Sequence, residues 1–241
     1  MIKATHSQKA SNAAIAATYI DHMGSDLSVV NAARVSFGKK SEWSFTVEQA
    51  SDDGPYHEIM KLNDKDYSLI HYLAKHKHMS PFGHVFASFH VKAPIFVARQ
   101  LVKHKFLRFN EVSRRYVTSE PEFYIPDVWR GRSKDKKQGS DGVVDIGDLQ
   151  EEYPIEVQAM IQFYDMLLET GVAPEQARMV LPQSTITEWY WSGSLDAFAD
   201  MCRLRCKDDT QYETRLVADQ ISEIMKDLFP VSWDALMKEV K

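Results

Sequence analysis

Between Val85 and Val102 the sequence leaves the backbone little choice. Val85, Ala87, Phe89 and Val91 alternate with Phe86, Ser88 and His90, and a period of two puts each set on its own face of a β-strand. Ala93-Pro94 ends that strand. Proline has a fixed φ and no N–H to satisfy, so it suits the first turn of a helix, and Ile95-Phe96-Val97-Ala98-Arg99-Gln100-Leu101-Val102 supplies one. The helix delivers, at its C-terminal end, the stretch Lys103-His104-Lys105-Phe106-Leu107-Arg108-Phe109-Asn110-Glu111-Val112-Ser113-Arg114-Arg115-Tyr116.

From 103 to 115 that stretch packs five Lys/Arg and one His into thirteen residues with Glu111 as the only acid, in a chain of formal charge −5. A cationic knot in an acidic protein needs an anion to hold, and phosphate is the common one. Asn110, Glu111 and Ser113 add hydrogen-bonding specificity. Charge runs are usually solvated faces or nucleic-acid patches, but this one is interleaved with Phe106, Leu107, Phe109 and Val112, which a solvated tail does not need. A small-anion or nucleotide site, a nucleic-acid surface and a structural salt-bridge cluster all remain open on patterning alone.

The rest of the chain reads as mostly helical with a modest sheet. A helix fits 26–37 and ends near Gly38; Lys39 to Tyr56 reads as a loop or short hairpin; Asp64 can cap a helix with the apolar stripe Leu69, Ile70, Leu73 and Ala74. Three more helices fit 151–170, 194–206 and 210–228, the first stopped by Gly171 and the last by Pro230. Residues 130–148, rich in Gly and charge, form the clearest exposed loop. At 241 residues and 44% hydrophobic content the chain can bury a sizeable core as one domain, 1–241. No apolar run approaches a membrane span, and Met1 to Ser7 lack the apolar stretch of a signal peptide. The two cysteines, Cys202 and Cys206, would close almost no loop, which points to a reduced, cytoplasmic setting and to packing on one helix stripe with Ala199. His71, His76, His78, His84 and His90 match no ligand spacing for a metal, and no Gly-x-Gly-x-x-Gly or Walker motif is present. Trp189-Tyr190-Trp191 can stack a base or a flavin ring, and suits core or subunit packing at least as well.

Taken in order, His78-Met79-Ser80-Pro81-Phe82-Gly83-His84, then Phe89 to Gln100, then the basic knot, resemble the flavin-dependent thymidylate synthases. The signature of that family is Arg-His-Arg, seven residues and Ser; here Lys103-His104-Lys105 is followed by seven residues and Ser113. Asp26-Leu27-Ser28, Ala32 to Phe37, Glu122 to Pro126, Ala177 to Pro182 and Leu204-Arg205 also fall in family order, so the likeness spans roughly 24–37, 62–126 and 153–233. Both signature arginines are lysines, which keep the charge and lose the planar fork; Arg108 and Arg114 lie within the knot as possible compensation.

The resemblance implies an α/β (α+β) subunit, helices packed on a modest mixed or antiparallel sheet, assembled as a homotetramer with sites shared between subunits. It implies FAD as cofactor, dUMP as substrate, and NADPH and 5,10-methylenetetrahydrofolate as co-substrates, with no nucleic acid and no membrane as partners. By position, Arg205 matches the arginine that polarises the uracil ring and is the candidate catalytic residue. Gln100, Lys103, Glu111, Val112, Ser113, Arg114, Arg115 and Arg178 match dUMP ligands. Ser80, Lys103, His104, Lys105 and Glu111 match flavin contacts, with Ser194, Asp196 and Asp200 on an altered flavin edge. Neither cysteine has an activating environment in the sequence, so a guanidinium rather than a thiolate is expected to drive electron density toward C5. The alternative is a non-catalytic nucleotide- or nucleic-acid-binding protein that uses the 103–115 cluster and the 131–142 loop for phosphates.

Overall fold

The alternating segment lies at the centre of the molecule. A computed structural model describes residues 15–49, 56–117, 120–134 and 139–238. In chain order these form β1 (Ala16–Met23), α1 (Asp26–Arg34), β2 (Ser44–Gln49), β3 (Tyr56–Lys61), α2 (Asp64–Lys75), β4 (Phe86–Pro94), α3 (Ile95–Leu101) and β5 (Leu107–Glu111). There follow β6 (Arg130–Arg132), β7 (Ser140–Val143), α4 (Leu149–Glu169), α5 (Pro174–Ala177), β8 (Ile186–Ser194), α6 (Leu195–Arg205), α7 (Tyr212–Leu228) and α8 (Pro230–Met237). The main sheet has four antiparallel strands in the order β1-β4-β8-β5.

Two strands run straight into helices. β4 ends at Pro94, which is the N-cap of α3, and β8 ends at Ser194, the N-cap of α6. Along β4, Ala87, Phe89, Val91 and Ala93 are buried while Ser88, His90 and Lys92 are only partly covered. β8 repeats the pattern: Trp189 and Trp191 are almost fully buried, and Tyr190 between them points to the other face and is 53% exposed. Two of the three aromatics are thus core residues. The inward face packs on helices through edge-on ring contacts, Phe89 to Phe198 at 5.1 Å and Trp191 to Phe198 at 5.6 Å. α7 adds Val217, Ile221 and Met225, a stripe at i, i+4, i+8 that is wholly buried.

Two buried carboxylates tie the helical layer together. Asp26, at the start of α1, accepts the backbone N–H groups of Val231 at 3.0 Å and Ser232 at 2.8 Å, and so satisfies orphan donors in the first turn of α8. The Asp66 side chain is inaccessible and accepts from Arg34 Nε at 2.9 Å, Ser41 Oγ at 3.0 Å and Asn63 Nδ2 at 2.7 Å. That bond places Asn63, whose Oδ1 accepts the Asp66 N–H at 3.0 Å, as the cap of α2. The cap is therefore Asn63, and Asp64 is the first helical residue.

Other expectations shift for identifiable reasons. The 26–37 helix tightens into a 3₁₀ turn over Val35–Phe37 and ends at Gly38 in the left-handed region. The 39–56 stretch contributes to a hairpin, β2 with β3. The 130–148 segment contains a second hairpin, β6 with β7, whose residues are nearly all exposed; residues 135–138 lie outside the described residues. Pro230 does follow the end of α7, but it also opens α8, because proline at a first helical position loses no bond. Among the described residues no helix is long and apolar enough to cross a membrane.

Candidate active site

Glycine and an unusual phenylalanine bring the basic knot onto the sheet. Phe106 adopts φ +64, a left-handed conformation that is rare for a bulky side chain. It reverses the chain between α3 and β5, which then pairs along β8 with Leu107 opposite Gly193, Phe109 opposite Trp191 and Glu111 opposite Trp189. A Cβ at position 193 would lie 2.4 Å from the Leu107 side chain and 3.0 Å from the Phe106 carbonyl oxygen, so this approach requires glycine. Phe109 stacks on Trp189 at 5.2 Å. The middle of the knot is thus an edge strand, with Arg108 on its exposed face across from Ser192.

Beyond β5 the chain turns over Ser113 to Tyr116, with the Tyr116 N–H donating to the Ser113 carbonyl at 3.0 Å and the Arg115 N–H to Ser113 Oγ at 3.3 Å. Glu111 is fixed by the Thr187 hydroxyl, which donates to its Oε1 at 2.6 Å. A cleft of about 530 Å³ opens here between Glu111, Val112, Ser113 and Arg114 on one side and Arg178, Thr187 and Glu188 on the other. Glu175 organises its rim: its carboxylate lies 3.4 Å from Arg115 Nε, and its carbonyl accepts from Arg178 Nε at 3.3 Å. The acids along the wall are engaged, Glu122 by Lys92 at 2.7 Å and Glu188 by His90 at 3.0 Å. This cleft gathers five of the expected dUMP ligands, Glu111, Val112, Ser113, Arg114 and Arg178, with Arg115 beside them. Lys103 does not line it.

Arg205 sits elsewhere, at the last turn of α6. Its Nε donates to His104 Nε2 at 3.0 Å. A guanidinium only donates, so His104 Nε2 must be an acceptor, which makes the ring neutral with its proton on Nδ1. Burial first, and then the Arg205 charge, hold His104 below its ordinary value near 6.5, with Asp200 acting in the opposite direction. Burial also lowers Arg205. Gln100 belongs to a third group: its amide nitrogen donates to Gln211 Oε1, and the Gln211 amide nitrogen donates to Glu213 Oε2 at 3.1 Å. Tyr124 OH donates to Glu213 Oε1 at 3.4 Å, and its phenol is pushed up by burial and by that carboxylate.

Two of the three residues expected at an altered flavin edge lie along a separate surface. Asp196 and Asp200 line a cleft of about 710 Å³ with Met79, Lys77, Arg203 and Lys207. Ser194 is the N-cap of α6, yet its hydroxyl donates to Asp196 Oδ1 at 2.5 Å instead of capping the backbone. Asp200 pairs with Arg203. Ser80 follows Met79 at the start of a 3₁₀ turn; Met79 lines this cleft and Ser80 does not. The rim cations can pair with phosphate, and the carboxylates can accept from hydroxyl or amine donors. Lys103 and Lys105 are exposed on the turn after α3 and line neither cleft. Of the two arginines expected to compensate, Arg114 lines the 530 Å³ cleft and Arg108 does not.

The cysteines differ from each other. Cys202 is fully buried, its thiol donates to the Ala218 carbonyl at 3.6 Å, and burial raises its pKa well above the ordinary thiol range. Cys206 is only partly buried at the end of α6, so the pair is not wholly a core feature. Thr187, Glu175, Gln211 and Glu213 have no local pattern in the sequence to mark them, and Tyr124 stands out only as part of the 122–126 segment.

Residues 18–231 match the profile of the family described as thymidylate synthase complementing protein. The chain is 40% identical over 220 residues to the flavin-dependent thymidylate synthase of Thermus thermophilus, covering 90% of this chain and 73% of that one. It is 37% identical over 222 residues to the flavin-dependent thymidylate synthase of Thermosipho africanus, covering 91% and 89%. Among solved structures, the UMP/dUMP methylase PolB from Streptomyces cacaoi bound with 5-Br dUMP aligns with a TM-score of 0.74 at 31% identity, over 92% of this chain and 94% of that one. With the signature segment and nearly all of its sheet and helical layer inside the matched span, this chain belongs to the flavin-dependent thymidylate synthase family.

Proposed function

We propose that the protein reductively methylates dUMP to dTMP, with FAD as cofactor, 5,10-methylenetetrahydrofolate as carbon donor and NADPH as reductant. The observation that carries this reading is the convergence of Ser113, Arg114 and Arg178, from distant parts of the chain, on one cleft of about 530 Å³. That volume is in the range of small-ligand sites, and guanidinium groups grip a phosphate in fixed geometry. Ser113 and the turn it closes supply further contacts for the sugar and phosphate.

Arg205 stabilises negative charge that develops on the pyrimidine ring, as a preorganised cation does in a partly desolvated site. Neutral His104 keeps it in place by accepting from Nε and leaves the guanidinium's other N–H groups for the ring. Gln100 holds the nucleotide from α3. Ser80, His104, Ser194, Asp196 and Asp200 hold FAD, with Lys103 and Lys105 supplying charge at its edge. The bound flavin supplies the redox chemistry. Arg205, Gln100 and the 111–115 turn form separate groups within one chain, which supports a homotetramer of single-domain subunits, with each site completed by a neighbouring copy. Cytoplasmic location fits a cysteine pair that needs no oxidation.

The test is direct. Purified protein should be yellow, and should form dTMP only when dUMP, methylenetetrahydrofolate and NADPH are all supplied. A protein that binds no FAD in excess, or that forms dTMP without flavin, would overturn the proposal.

A further inference from the structure

Four side chains form a hydrogen-bond chain whose donors all point toward Glu213, and it links the buried Tyr124 to Gln100 at the end of α3. Tyr124 OH donates to Glu213 Oε1 at 3.4 Å, the Gln211 amide nitrogen donates to Glu213 Oε2 at 3.1 Å, and the Gln100 amide nitrogen donates to Gln211 Oε1. The direction of each bond follows from chemistry. A carboxylate offers acceptors only, so Gln211 must turn its NH₂ toward Glu213. That leaves Gln211 Oε1, which can only accept, facing Gln100. Gln100 must then donate from its own NH₂, and its carbonyl oxygen remains for another partner. All four groups are at least partly buried, so a reversed amide would set oxygen against oxygen in a setting where water rescues it poorly.

We infer that Glu213, acting through Gln211, locks the Gln100 amide with its carbonyl oxygen turned to the nucleotide, so that Gln100 accepts a hydrogen bond from the substrate. Gln211 and Glu213 are then positioning residues, and Gln100 reads a donor on the ligand. The inference rests on the reading of Gln100 as a dUMP ligand. dUMP presents two such donors, the ring N3–H and the sugar 3′-hydroxyl. Glu213 matters because a neutral side chain there would let Gln211 turn over, and Gln100 with it.

The experiment measures nucleotide affinity of the FAD-loaded protein by calorimetry, with dUMP, N3-methyl-dUMP and 3′-deoxy-dUMP as probes, for wild type, Gln100→Ala, Glu213→Gln and Gln211→Leu. Wild type should bind one analogue about tenfold more weakly than dUMP, the scale of one lost hydrogen bond, and which analogue suffers identifies the donor. Glu213→Gln should bind dUMP several-fold more weakly and lose most of that discrimination, while thermal stability and flavin content stay near wild type. Gln211→Leu breaks the same chain without touching the Tyr124–Glu213 bond, and it decides the matter if Glu213→Gln fails to fold. If Gln100→Ala binds dUMP as wild type does, the placement of dUMP beside Gln100 is wrong, and this inference falls with it. If Gln100→Ala weakens binding while the folded Glu213 or Gln211 variant keeps both affinity and discrimination, the placement stands and the positioning chain is refuted. A wild type that separates neither analogue from dUMP also refutes it.

Discussion

Arg205 is the side chain whose removal tests the most at once. It sits on the last turn of α6, half-buried, and donates to His104 Nε2 at 3.0 Å. Truncation to alanine removes one preorganised charge from the site, which typically costs ~10²–10³ in turnover. It also removes the guanidinium that helps to depress His104, so the imidazole should titrate closer to its ordinary value near 6.5, with burial, the larger cause, still holding it below. The sign for stability follows. Below pH 6.5 the unfolded chain takes up a proton that folded His104 resists, so in wild type this residue lowers stability as pH falls, and it contributes nothing well above 6.5. Arg205→Ala should therefore lose less stability than wild type between pH 6.5 and 5. Arg205→Lys keeps a charge near His104 but not the fork, so dTMP formation should stay low. The assays are dTMP formation, NADPH oxidation, flavin content and the NMR titration of His104. Near-normal dTMP formation in Arg205→Ala would make Arg205 structural, and an unmoved His104 titration would show that the contact does not form in solution.

Three further outcomes are expected. Asp66→Ala strands the Arg34 guanidinium and should cost about 3–5 kcal/mol, the scale for breaking a buried pair; at roughly 2–4 °C per kcal/mol for a chain of this size that lowers the melting temperature by about 6–20 °C, and a drop within error would show the carboxylate is not needed. The double variant Cys202→Ala/Cys206→Ala should be less stable, because a fully buried thiol leaves a void, yet still make dTMP with wild-type flavin content; its failure to turn over while folded would point to a thiolate mechanism. Lys103→Arg with Lys105→Arg should tighten FAD binding several-fold in equilibrium titration, and unchanged affinity would show that the exposed lysines already suffice.

Strand β4 was legible because Ala87, Phe89, Val91 and Ala93 each sit beside a polar residue. β5 has the same period, Leu107 and Phe109 inward and Arg108 and Asn110 outward, but the flanking charges dominate its composition and hid it. β8 was missed because Trp189-Tyr190-Trp191 is aromatic throughout, and only the fold shows that the middle ring faces outward. No signal announced Phe106 in a left-handed turn, where glycine or asparagine is the usual choice. The site divides the same way. The charges of 103–115 were evident from composition, whereas the pairing of the 113–114 turn with Arg178 is tertiary and was anticipated only through family likeness. Gln211 and Glu213 became visible only once α7 was set beside α3.

The segment from His104 to Glu111 is held at both ends by one strand–helix unit: β8 pairs with β5, and α6, which continues β8 without a linker, returns Arg205 to His104. Transplantation is where this matters. Residues 103–115 copied into another scaffold would carry their charges and lose their arrangement, since nothing would supply the glycine that admits the strand or the arginine that anchors its start. The smallest portable module is the basic segment together with residues 186–205, and sequence searches keyed to the short signature alone see half of it.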